Sequence, residues 1–197
     1  MGEKVLVERD FDGEPVRGAN PPLMTDLVLN EDGYQRVIAE LVPSAEQFLW
    51  IATSDLKDLH VKGAGKRMIP FVRVLGDLVE GGVEVRLVHA KEPGPRFRED
   101  FDKQPGLLES DLFERTLCPR MHMKVVLVDG KTAYIGSANM TGAGIGAKSV
   151  KRRNFEAGVV TDDPEIISGL MEFFDEFFIG DHCVKCDRRE YCPEPIA

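Results

Sequence analysis

The chain has 197 residues, a formal net charge of −9, 43% hydrophobic residues and 30% charged ones. That length suits one domain with a real core. No apolar run approaches the roughly eighteen residues of a membrane-crossing helix, and the acidic balance argues against a protein that coats nucleic acid nonspecifically.

The first residues, Met1-Gly2-Glu3-Lys4-Val5-Leu6, lack the basic and apolar regions of a secretory signal, so a cytoplasmic protein is expected. Leu6 stands where a myristoylation motif needs Ser or Thr. Residues 1–30 read as irregular, with a short strand over 4–8, and Asn20-Pro21-Pro22 breaks any regular element. Residues 34–41 have helical periodicity and stop before Pro43. A strand is expected over 47–53, an amphipathic helix over 66–78 ended by Gly81-Gly82, and a Val-rich strand over 83–89.

Pro93-Gly94-Pro95 opens a loop, and 107–115 reads as a short helix. A strand over 121–128 turns at Asp129-Gly130 into a strand over 132–135. Another strand covers 156–161, and 164–178 is an apolar helix with Pro at its first position. This alternation predicts an α/β or mixed α+β fold. Its divisions are an irregular segment at 1–30, the main folded domain at 31–180 and a cysteine-bearing tail at 181–197.

One window carries the chemistry. It runs His122-Met123-Lys124, then four residues to Asp129, then Gly136-Ser137-Ala138-Asn139. Strand side chains alternate, so His122 and Lys124 share a face while Met123, Val125 and Leu127 share the other. A histidine beside a lysine on an apolar strand is ordinarily a satisfied core histidine with a snorkelling neighbour. Three more polar residues at fixed offsets argue instead for a site. Imidazole can act as nucleophile, acid or base near neutral pH. An ammonium and an amide can bind phosphoryl oxygens as charge develops on them.

The pattern H-x-K-x4-D-x6-G-S-x-N resembles the signature of the phospholipase D superfamily, whose members cut or transfer phosphodiesters through a phosphohistidine. The resemblance implies a largely β, sandwich-type core, a mixed sheet flanked by helices, and catalysis without a metal. It gives His122 the role of nucleophile, and Lys124 and Asn139 the phosphoryl oxygens. Ser137 supplies a nearby donor, and Asp129 has a structural or orienting part. Glu156 resembles the family glutamate that bonds the far ring nitrogen of the catalytic histidine.

The signature occurs once, and the mechanism needs two imidazoles. The resemblance therefore implies a symmetric homodimer sharing one pocket. Within the chain, His89 in His89-Ala90-Lys91 has the H-x-K kernel alone, and His60 has no recognisable context. Lys148, Lys151, Arg152 and Arg153 form a basic loop after the signature, placed to face an anionic substrate.

Cys183, Cys186 and Cys192 lie in the tail, with Cys118 far upstream. In a cytosolic protein C-x2-C favours metal over disulfide. The trio with a distant cysteine resembles the iron–sulfur staple of some RecB-class nucleases. With Cys118 or His182 it would equally make a tetrahedral zinc site, and zinc is the first choice over iron–sulfur or free thiols. The expected function is a phosphodiester hydrolase, an endonuclease on DNA or RNA. The alternatives are a phospholipase D or phosphatidyltransferase acting on lipids, and a noncatalytic nucleic-acid-binding module.

Overall fold

The computed structural model describes residues 24–57, 59–63 and 67–196. The expected strand over 4–8 and the Asn20-Pro21-Pro22 break lie outside the described residues. Nine strands are present among them: β1 (Thr25–Leu29), β2 (Phe48–Thr53), β3 (His60–Lys62), β4 (Met68–Pro70), β5 (Glu84–His89), β6 (Phe113–Leu117), β7 (Val125–Val128), β8 (Thr132–Gly136) and β9 (Ala157–Thr161). The helices are α1 (Phe71–Glu80), α2 (Pro95–Phe101), α3 (Pro105–Glu109) and α4 (Pro164–Phe178), with a wider π-type helix at Gly33–Leu41.

Seven strands form one mixed sheet in the order β1-β9-β8-β7-β2-β5-β6, and β3 pairs with β4 in a separate ribbon. β2, β5 and β6 run parallel, and the other neighbours are antiparallel. The β-sandwich expectation is corrected: helices, and not a second sheet, cover both faces. On one face α1 and the π-type helix bury Phe71, Leu75, Val37 and Ile38 against Leu49, Ile51, Val126 and Leu87. On the other, α4 buries Ile167 and Phe174 against Trp50, Leu127 and Ala133. Fully burying one such side chain stabilises by about 1.5–3 kcal/mol. Every residue of β7 is buried, as a strand paired on both sides and covered on both faces requires.

α4 has the predicted bounds because its start is fixed chemically. The Asp163 carboxylate accepts the Glu165 and Ile166 amides, and Pro164 follows with its preset φ. The turn at Asp129-Gly130 also forms, with φ of +53° and +62°, the left-handed pair that a two-residue hairpin needs. Other expectations move. Residues 68–70 join β4 and helix α1 begins at Phe71, because Pro70 disfavours helical backbone at Ile69. The helix expected over 107–115 divides into α3 and β6, whose Phe113-Glu114-Arg115-Thr116-Leu117 pairs in parallel with β5. Thr25–Leu29, read as irregular, is edge strand β1, and α2 fills part of the loop after Pro93.

Candidate active site

The signature residues other than Asp129 gather at one end of the central strands. The registers Thr53↔His89, Ala52↔Val125, Val125↔Ile135 and Gly136↔Gly158 bring the ends of β2, β5 and β8 beside the starts of β7 and β9. Gly136 is required there because a Cβ would fall on the Tyr134 ring, which also fills the space beside Gly158. That buried ring therefore supports the Gly-Ser-x-Asn segment from below, and burial pushes the Tyr134 phenol pKa up.

Lys124 is 7% exposed. Its ammonium donates to the Ser54 hydroxyl at 2.8 Å and to the His122 carbonyl at 2.6 Å. Burial lowers the Lys124 pKa, against the attraction of the Glu156 carboxylate, which raises it. The Asn139 side-chain oxygen accepts from the Ser54 hydroxyl at 2.7 Å, the Asp55 backbone N–H at 3.2 Å and the Thr53 hydroxyl at 3.3 Å. The next residue is stitched to the same segment: Met140 N–H donates to the buried Thr53 hydroxyl, and Lys57 N–H to the Met140 carbonyl. Thr53, Ser54 and Asp55 are site residues that the sequence reading does not single out. Thr-Ser-Asp after a strand looks like ordinary turn chemistry.

His122 is exposed, and its imidazole has no hydrogen-bond partner among the described residues. Ser137 is exposed too; its hydroxyl bonds the Glu156 carboxylate, and its backbone pairs with Ala157. The other Glu156 oxygen accepts the Asn154 amide at 3.0 Å. Asn30 holds the Glu156 backbone through its side chain and its own N–H.

Asp129 lies at the opposite end of β7 from Lys124. Its carboxylate accepts the backbone N–H groups of Glu46, Gln47 and Phe48 at 3.0, 2.8 and 2.9 Å, which pins the entry into β2. Partial burial would raise its pKa, but those three donors outweigh it and hold the carboxyl low. Of the basic loop, Lys148, Lys151 and Arg152 are exposed, whereas Arg153 is half-buried and paired with Glu31 at 2.6 Å.

His89 is fully buried at the end of β5. Its Nδ1 lies 2.8 Å from the Lys91 carbonyl, its Nε2 has no partner, and burial lowers its pKa. Lys91 bonds Asp55 at 3.4 Å, and His60 opens β3.

Cys118, Cys183, Cys186, Cys192 and His182 line one cavity of about 340 Å³, so the tail folds back on the segment ahead of His122. All four cysteines are free thiols. Among the described residues no group of three His, Cys, Asp or Glu side chains converges to hold a metal ion, so the expected zinc or iron–sulfur site is not supported. Several donors have other partners. Cys186 takes the Arg120 guanidinium at 3.8 Å, Cys192 faces the Leu117 carbonyl at 3.9 Å, and His182 pairs with Glu176 at 3.0 Å. The Arg188 backbone N–H and the Arg120 guanidinium lower the Cys186 pKa, while burial raises that of Cys118.

Among curated proteins no sequence relative matches the chain. Solved structures share its fold. NucT from Helicobacter pylori is 19% identical with a TM-score of 0.56, over 78% of this chain and 94% of its own. Nuc from Salmonella typhimurium, a phospholipase D family member, is 16% identical with a TM-score of 0.57, over 78% and 93%. TrmBL2, an archaeal chromatin protein with a novel mode of DNA binding, is 13% identical with a TM-score of 0.55, over 83% and 55%. The sequence model described as "Cardiolipin synthase, PLD-like domain" matches residues 38–178, which include the whole signature and Glu156. The chain belongs to the phospholipase D-like domain family.

Proposed function

We propose that this protein hydrolyses phosphodiesters in DNA or RNA through a phosphohistidine at His122, as a homodimer with a shared pocket. One observation carries the reading. An exposed, unpaired imidazole stands at the same end of the central strands as a buried ammonium and a side-chain amide whose oxygen is already occupied. In this mechanism a His122 nitrogen attacks phosphorus in line, forming an N–P bond. The bond to the leaving oxygen breaks as a second imidazole gives that oxygen its proton. The second imidazole then takes a proton from water, which attacks phosphorus and breaks the N–P bond. Lys124 and Asn139 bind the phosphoryl oxygens throughout, so the chain's own side chains perform each step without a metal.

His122 of a second copy is the natural source of the second imidazole. The surface beside the site favours such a copy: Phe155, next to Glu156, is 95% exposed, and Leu27 and Leu29 on neighbouring β1 are exposed as well. Lone exposed apolar residues are normal, but a group of them beside a site marks a contact surface. The exposed cations Lys148, Lys151 and Arg152 favour a polyanionic substrate. TrmBL2, a chromatin protein that binds DNA, shares this fold over 55% of its own chain. No helix among the described residues is long and apolar enough to cross a membrane.

The test is cleavage of labelled single- and double-stranded DNA, RNA and phosphatidylcholine vesicles, each with EDTA present. Nucleic-acid cleavage that persists in EDTA supports the reading. Release of choline alone would make the protein a lipid enzyme, and binding without cleavage would make it a noncatalytic module.

A further inference from the structure

We propose that Ser54 is a positioning residue, whose hydroxyl couples Lys124 to Asn139 and fixes both as phosphate donors. The inference deepens the phosphodiesterase reading and rests on it.

Hydrogen-bond direction is settled by the chemistry of the partners. A lysine ammonium has three donors and no acceptor, so the 2.8 Å contact makes the Ser54 oxygen an acceptor. Its single proton is then free for Asn139, 2.7 Å away. The Asp55 backbone N–H, which can only donate, meets the same Asn139 atom, so that atom is the carbonyl oxygen. The relay therefore runs one way, from Lys124 through Ser54 to Asn139. The Asn139 NH2 is left with no partner among the described residues, and Lys124 keeps one of its three donors. These are the groups that a phosphoryl oxygen needs, held before substrate arrives.

Distance along the chain makes this role specific. Ser54 lies 70 residues from Lys124 and 85 from Asn139, at the end of a different strand from either. The hydroxyl is only half-buried and fills no core position. Its loss should act on the site and not on the fold.

The experiment compares wild type, Ser54→Ala and His122→Ala on bis(p-nitrophenyl) phosphate, and follows the Asn139 side-chain NH2 by ¹⁵N NMR, assigned with Asn139→Asp. The expected result for Ser54→Ala is a fall in kcat of about tenfold, since charge on the phosphoryl oxygens grows in the transition state. KM and the melting temperature should stay near wild type, and the Asn139 NH2 resonance should shift. A kcat within twofold of wild type, or an unmoved Asn139 resonance, overturns the role of Ser54 while leaving the phosphodiesterase reading intact. A wild-type protein that cleaves nothing fails that reading instead, and the Asn139 resonance then decides the relay alone.

Discussion

Asn139 turns its side-chain oxygen toward the Asp55 backbone N–H, 3.2 Å away, so its NH2 is the end left for a ligand. This orientation separates fold from function at one residue. In Asn139→Asp one carboxylate oxygen can still accept from Asp55 and Ser54, but the second replaces the NH2 donors with negative charge.

The expected outcome for Asn139→Asp is a folded protein with a melting temperature close to wild type and at least about a hundredfold less turnover, as for other lost oxyanion donors. Thermal unfolding and steady-state kinetics on one preparation check it. Retained turnover would remove Asn139 from the site.

Asp129 makes the opposite prediction, a change in stability with the chemistry left to others. Asp129→Ala removes the acceptor of three backbone N–H groups and leaves a β-carbon at positive φ without aspartate's local bonding. At this partly solvated site the loss should be on the order of 1–3 kcal/mol, or several degrees in melting temperature. Asp129→Asn, which keeps one oxygen and tolerates that φ, should cost less. The linkage sign follows from the lowered carboxyl pKa. Its contribution is complete above the unfolded value near pH 4 and is lost as pH falls through the folded value. Melting temperatures from pH 7 to pH 3 should therefore fall less steeply in Asp129→Asn than in wild type.

The sequence made legible what lies in one stretch and what local chemistry bounds. His122, Lys124 and Asn139 sit within eighteen residues, and Asp163-Pro164 and Asp129-Gly130 mark their elements by capping and turn preference. Ser54 was illegible because its meaning comes from partners 70 and 85 residues away. β6 was illegible because Phe-Glu-Arg-Thr-Leu fits either period, and pairing with β5 decides it. The cysteine spacing pointed to a metal site that is not supported, because spacing does not show that Cys186 pairs with Arg120 and His182 with Glu176.

The proposed homodimer gives a further expectation. Phe155→Glu places a charge on a side chain that is 95% exposed in the single chain, so the monomer's stability should change by less than about 0.5 kcal/mol. If a second copy covers that surface, the variant should sediment as a monomer and lose most activity. Wild-type chains mixed with His122→Ala should likewise form nearly inactive hybrids. A fully active Phe155→Glu dimer would place the interface elsewhere, and half-active hybrids would make buried His89 the candidate second imidazole.

The covalent intermediate tests the central claim most directly. A nucleic-acid substrate is quenched with alkali during turnover, because phosphohistidine survives base better than acid, and the peptide containing His122 is weighed by mass spectrometry. His122 should carry, within one turnover, a nucleotidyl-phosphoryl adduct (the substrate fragment that keeps the phosphate, joined through N–P), which is absent from His122→Ala, and that variant should not cleave. Turnover at the wild-type rate with His122 unmodified, or cleavage by His122→Ala, would contradict it.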